Sequence, residues 1–125
     1  MQNAQLLVCD DDHDICDMLD VVLADKGFRV YVAHDAVEVM EGIEKSNPHC
    51  LIIDLHLPDH DGFWIAQQLR NSSVNIPIIF ITADKGWERM ETAKALPGPM
   101  DVLVKPLEPS VLLERIQSAL GPVAH

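Results

Sequence analysis

Five residues of this 125-residue chain could do chemistry together: Asp10, Asp11, Asp54, Thr82 and Lys105. They come directly after short apolar runs, Gln5–Cys9, Cys50–Ile53, Pro77–Ile81 and Val102–Val104 in turn. Three carboxylates brought within a few ångströms repel one another, at about 4 kcal/mol per pair for about 4 Å and an effective dielectric of about 20. A hard divalent cation relieves that repulsion, and ligands that are all oxygens favour Mg²⁺, Mn²⁺ or Ca²⁺ over zinc. A lysine and a hydroxyl beside the cation complete a place for a tetrahedral oxyanion, with Thr82 donating a hydrogen bond. An aspartate in such a place can itself be the nucleophile and form an aspartyl phosphate.

That chemistry needs residues far apart in sequence to meet, and the chain carries a pattern that would bring them together. The run Gln5–Cys9 reads as a buried strand that stops at Asp10-Asp11-Asp12. Asp12 suits a helix N-cap better than a ligand position. Ile15, Leu19, Val22 and Leu23 then recur at helical spacing, and Gly27 ends that helix. Phe28–Ala33 is strand-like, and Asp35 with Glu38 forms a capping box opening a second helix that dies at Asn47-Pro48. Strand Cys50–Ile53 ends in Asp54, residues 55–61 form a loop broken by Pro58, and Gly62-Phe63 lead into a third helix. Strand Pro77–Ile81 ends in Thr82, a helix spans Trp87–Leu96, and strand Val102–Val104 ends in Lys105-Pro106. Pro109 sits at the first position of a last helix, which Gly121-Pro122 stops. The alternation predicts five strands and five helices. Strands this apolar are covered on both faces, so the fold expected is a single α/β domain over residues 1–125, a doubly wound five-stranded parallel sheet with helices on both faces and its core over about 5–120. In such a sheet every strand's carboxyl end lies on one edge, where open α/β sheets bind ligands.

Charge narrows the function further. Residues 1–62 hold 14 acidic and 3 basic residues and residues 63–125 hold 6 of each, so the whole net charge of −11 lies in the first half. That excludes a nucleic-acid surface or anionic-membrane docking in this segment. Most of the excess, including Asp14, Asp17, Asp20, Glu38, Glu41 and Glu44, is expected on exposed helix faces. No apolar run approaches a membrane span, and Met1-Gln2-Asn3-Ala4 has no basic signal-peptide start, so a cytoplasmic location is expected. Cys9, Cys16 and Cys50 form no paired motif, and Cys9 and Cys50 read as small buried hydrophobes.

At its polar strand ends the chain resembles the receiver domains of two-component response regulators. The matching motifs are LLVCDDD at 6–12, LIIDLHLPDHDG at 51–62, FITA at 80–83 and VKP at 104–106, in order and across nearly the whole chain. The resemblance implies a flavodoxin-like sheet of order 2-1-3-4-5. It implies that Asp54 is the phosphoacceptor and that Asp11, Asp54 and the backbone carbonyl of His56 ligate Mg²⁺ (or Mn²⁺), with Asp10 acting through a bound water. Thr82 would be the switch hydroxyl and Lys105 the partner of a phosphoryl oxygen, with Pro106 in a Lys-Pro step that is often cis. The donor implied is a phosphohistidine on a sensor histidine kinase or histidine phosphotransfer protein. The domain would act as a signalling switch rather than an enzyme, catalysing only its own phosphorylation and dephosphorylation. The resemblance leaves open a homodimer through the face of the Trp87–Leu96 helix, the fifth strand and the last helix, and an effector or kinase domain beyond this chain.

Two departures from the family pattern stand out. Val102 occupies the position of a frequent aromatic that couples to the threonine, and Leu96-Pro97-Gly98-Pro99-Met100 replaces a turn of small residues, stiffened by two prolines. The competing reading is a small hydrolase, a phosphatase with an aspartyl nucleophile. Such enzymes carry a second Asp two residues on, where this chain has His56, and a cap domain for which it has no room. A nucleotide- or flavin-binding module would want a Gly- or hydroxyl-rich loop after the first strand instead of three aspartates. His56, Asp59, His60 and Asp61 suggest a transition-metal site, but His56 and His60 read better as exposed loop residues. The His56 side chain and Asp84 flank the site and are candidates for tuning water attack on a phosphoryl group. Trp64 and Trp87 show no stacking pattern, and a partly buried packing role is expected for Trp87.

Overall fold

The computed structural model describes residues 3–87 and 98–121. Five parallel strands, β1 (Gln5–Cys9), β2 (Arg29–Ala33), β3 (Cys50–Asp54), β4 (Ile78–Thr82) and β5 (Met100–Val104), form one sheet in the order β2-β1-β3-β4-β5. The described helices are α1 (His13–Asp25), α2 (Ala36–Ser46), α3 (Gly62–Asn71) and α4 (Pro109–Leu120). The helix expected over Trp87–Leu96 lies, beyond Trp87 itself, outside the described residues. The sheet, its order and the helices on both faces are those expected from the sequence.

Period-two alternation splits the core between the faces. On one face Leu7, Leu51, Ile53, Ile78 and Phe80 pack under Val39 of α2 and Phe63, Ala66 and Leu69 of α3. Phe63 meets Phe80 edge-on with ring centroids 4.7 Å apart. On the other, Leu6, Val8, Ile52, Ile79 and Ile81 pack under Leu19 and Leu23 of α1 and Leu112 and Ile116 of α4. Strands β1, β3 and β4 are buried along their whole length, as central strands covered on both faces must be.

The helix signals operate as written in the sequence. Asp12 caps α1 by accepting from the N–H groups of Asp14 and Ile15. Asp35 accepts from Glu38 N–H while Glu38 reaches back to His34 N–H, one residue before the cap, so the reciprocal pair of the expected capping box is shifted by one residue. That bond leaves Glu38 half-buried, a correction to the exposed position expected for it. Pro109 opens α4. Boundaries shift only slightly. β5 starts two residues early at Met100, and β4 starts at Ile78 because Pro77 has no N–H to enter the ladder. All three cysteines are free and buried, Cys16 included.

Candidate acceptor site

The sheet register does the first part of the assembly. In the β1–β3 pair Cys9 is level with Ile53, so Asp10 and Asp54 stand side by side, one strand spacing of about 4.8 Å apart. Asp54 is level with Ile81, which puts Thr82 one step beyond it on β4. Thr82 is level with Val104, so Lys105 starts two strands, roughly 10 Å, from Asp54. Only a long side chain crosses that gap. The Lys105 Nζ reaches Oδ2 of Asp54 at 2.7 Å and Oδ2 of Asp10 at 3.0 Å. The site opens where β1 has β2 on one side and β3 on the other, the topological switch point of the sheet.

One local device holds the three shorter side chains. Oδ1 of Asp10 accepts from the N–H of Asp12 at 2.9 Å, Oδ1 of Asp54 from that of His56 at 2.8 Å, and Oγ1 of Thr82 from that of Asp84 at 3.0 Å. Each strand thus ends in a side-chain turn to the residue two positions on. The turn fixes the side chain and leaves the second carboxylate oxygen of Asp10 and Asp54 to face Lys105. The turn residues are anchored in their own right: Asp12 caps α1, His56 bridges to Asp61, and Oδ1 of Asp84 accepts from Gly86 N–H at 2.8 Å.

The electrostatics are unbalanced, three carboxylates against one ammonium. Asp10 is fully buried, and its Oδ2, though 3.0 Å from Lys105, has no well-directed hydrogen bond. Burial pushes the Asp10 carboxyl up from its ordinary value, the Asp54 charge adds to this, and the Asp12 N–H and Lys105 offset it only in part. For Lys105 burial pulls downward, but the hydrogen bonds and charges of Asp54 and Asp10 outweigh it and hold the ammonium above its usual range. Asp10, Asp11 and Asp54 each offer a carboxylate oxygen within 4.8 Å of the others. An orphaned, buried carboxylate oxygen inside an all-oxygen cluster suits a hard divalent ion such as Mg²⁺ or Mn²⁺.

The structure therefore brings together Asp10, Asp11, Asp54 and Lys105, with Thr82 fully buried on the adjoining strand. The Lys105–Pro106 bond is cis. The histidine side chains stay outside. His56 is exposed and engages Asp54 only through its backbone, and His60 stacks on Trp64 with centroids 3.9 Å apart. Trp87 is half-buried against the core under α2 and α3. Three supporting residues stand outside the set singled out from the sequence. Gly62 lets α3 start hard against the acceptor strand, since a Cβ there would lie 2.8 Å from the Asp54 carbonyl oxygen. Asp61 caps α3 through Trp64 N–H, and an aspartate just before Gly-Phe was the available signal. Asp59 accepts from the Ala36 N–H with both carboxylate oxygens at 3.1 Å and ties the 55–61 loop to the start of α2; no sequence spacing marks that contact.

Comparison with known proteins decides the family. The sequence profile of the response regulator receiver domain matches residues 6–117. The chain is a response regulator receiver domain. Among its curated relatives, response regulator MprA of Mycobacterium ulcerans is 35% identical over 119 residues, covering 94% of this chain and 50% of that protein. The probable transcriptional regulator ycf27 of Porphyridium aerugineum is 35% identical over 123 residues, covering 98% and 50%. The receiver thus spans about half the length of these relatives. The chemotaxis response regulator CheY4 of Vibrio cholerae superposes with a TM-score of 0.83 at 30% identity, covering 93% of this chain and 98% of that one. No described helix of the receiver is long and apolar enough to cross a membrane.

Proposed function

We propose that this receiver takes a phosphoryl group onto Asp54, in a Mg²⁺-dependent reaction, from a phosphohistidine of a sensor histidine kinase or histidine phosphotransfer protein. The observation that carries the reading is the lysine bridge, with Nζ of Lys105 2.7 Å from Asp54 and 3.0 Å from Asp10 at a strand-end acidic cluster. Asp10, Asp11, Asp54 and the His56 carbonyl are the residues to hold the cation. When bound, Mg²⁺ supplies positive charge against the phosphoryl oxygens.

The side chains divide the remaining work. A carboxylate oxygen of Asp54 bonds to phosphorus as the P–N bond of the donor breaks, and the electron pair stays on the imidazole nitrogen. His56 N–H, 2.8 Å from Oδ1, holds the carboxylate in a fixed rotamer for this attack. Lys105 transfers its contact from the carboxylates to a phosphoryl oxygen, and Thr82 donates its hydroxyl hydrogen to another. Phosphorylation adds charge between these two groups and biases the β4–β5 side of the domain toward an output state. Loss of the phosphoryl group follows when water attacks phosphorus and releases phosphate. The exposed His56 side chain flanks that approach, so His56 variants should change the lifetime of the acyl phosphate. An unchanged half-life in His56→Ala would remove His56 from this role.

Turnover separates the receiver from a hydrolase. With Mg²⁺ and excess acetyl phosphate, each receiver chain should carry at most one phosphoryl group and consume donor only as fast as that adduct decays. Sustained hydrolysis of p-nitrophenyl phosphate that survives in Asp54→Asn would contradict the reading.

A further inference from the structure

The Asp84 side chain is engaged within its own loop. Its Oδ1 accepts from Gly86 N–H at 2.8 Å, and its own N–H donates to Oγ1 of Thr82 at 3.0 Å. The two bonds are consecutive side-chain turns, one begun by Thr82 and the next by Asp84. The second turn folds residues 84–86, directly after the N–H that meets the threonine. Asp84 is half-buried and Thr82 fully buried, so this N–H has little water to compete with the hydroxyl.

A threonine hydroxyl has one hydrogen and two lone pairs. A donor fixed on a lone pair restricts where the hydrogen can point. With Asp84 N–H seated on Oγ1, the O–H of Thr82 is directed away from the turn. The other two strand-end turns belong to Asp10 and Asp54, which have no hydrogen to aim. Among the three, the orientation of the turn N–H matters for a donated hydrogen only at Thr82.

Resting on the acceptor reading above, we propose that Asp84 is a positioning residue for phosphoryl transfer. Its carboxylate folds the 84–86 turn, the turn presents the Asp84 N–H to Thr82, and the hydroxyl is thereby aimed at the phosphoryl oxygen. The carboxylate acts as a hydrogen-bond acceptor, so its negative charge is not required. An asparagine, whose Oδ1 accepts in the same place, should replace it.

The test compares Asp84→Asn, Asp84→Ala and wild type. Two quantities are measured: the rate of adduct formation with acetyl phosphate at saturating Mg²⁺, followed by intact mass, and the Mg²⁺ dissociation constant by calorimetry. Thr82 serves the anion and not the cation, so the two readouts should separate. Asp84→Ala should form adduct about fivefold more slowly, the equivalent of one ordinary net hydrogen bond. Its Mg²⁺ affinity should equal wild type, which also shows that the strand ends are assembled. Asp84→Asn should restore the rate. In a Thr82→Ala background Asp84→Ala should add no further slowing. If Asp84→Ala fails to fold, Asp84→Ser takes its place with a smaller slowing expected. The proposal is overturned if Asp84→Asn is as slow as Asp84→Ala, if Asp84→Ala matches wild type, or if Mg²⁺ affinity falls in parallel with the rate. Absence of any adduct on wild type would overturn the acceptor reading itself, a result distinct from these.

Discussion

Asp10 shows what the site costs the fold. Its carboxylate is fully buried, one oxygen lacks a directed hydrogen bond, and burial raises its pKa despite Lys105. An acid whose pKa is higher folded than unfolded lowers stability as pH rises through that interval. The burden thus grows as pH rises above the ordinary value of 3.8 and disappears below it. Asp10→Asn keeps the acceptor for Asp12 N–H and removes the charge. Without divalent cation it should be at least as stable as wild type near neutral pH, with that advantage shrinking as pH falls toward 3.8. It should also lose the stabilisation that Mg²⁺ gives wild type. Urea unfolding of both proteins across pH, with and without Mg²⁺, checks this. A wild type more stable than Asp10→Asn in the cation-free state would refute it. The chemistry of Asp10 was legible in the sequence, because two aspartates directly after a buried strand have few bland explanations. Its strain was not, since that depends on how completely folding buries the carboxylate and on how far Lys105, reaching in from two strands beyond Asp54, offsets it.

At the scale of elements, close approach and clamping of backbone set the site. Gly62 has no positive φ, and its requirement is for space, because a Cβ would press on the Asp54 carbonyl and on Leu55. Gly62→Ala should cost about 1–3 kcal/mol, as overpacking does, and should also weaken Mg²⁺ binding by displacing the acceptor strand. Equal Mg²⁺ affinity in the variant would show that α3 can yield without moving Asp54. At the other end of α3, Arg70 donates to the carbonyls of Val74, Ile76 and Pro99 at 2.9, 2.8 and 3.0 Å, joining the α3–β4 connection to the start of β5. Gly98, at φ +88, leaves room for that guanidinium, since a Cβ there would lie 2.5 Å from Nε. Arg70→Ala should lower stability by about 1–3 kcal/mol, because the Val74 and Ile76 carbonyls lose the guanidinium, while Pro99 keeps the Ile78 N–H. Denaturant midpoints measure it. Strands and caps could be read from local pattern because their causes are local. The Arg70 clamp, the Asp59 tie and the tight seat of Gly62 join segments that meet only after folding, and no spacing in the chain announces them.

For the whole molecule, a net charge of −11 gives two separable responses to ions. Monovalent salt screens repulsion among the exposed aspartates and glutamates and should raise the melting midpoint modestly. Mg²⁺ should raise it further at equal ionic strength, because the cation binds only the assembled cluster. That second increment alone should vanish in Asp11→Asn. Sheet order, two-sided packing and the meeting of distant strand ends followed from the alternation of apolar runs and helical stretches together with the receiver resemblance. On the face that the resemblance links to dimers, Asp101 of β5 pairs with Arg115 of α4 at 2.6 Å.

The most direct measurement on the central claim is the intact mass of the receiver after incubation with Mg²⁺ and acetyl phosphate, for wild type and Asp54→Asn in parallel. The account predicts a single phosphoryl adduct on wild type, lost when Mg²⁺ is chelated beforehand, and none on Asp54→Asn. No adduct on wild type, or the same adduct on both proteins, would contradict it.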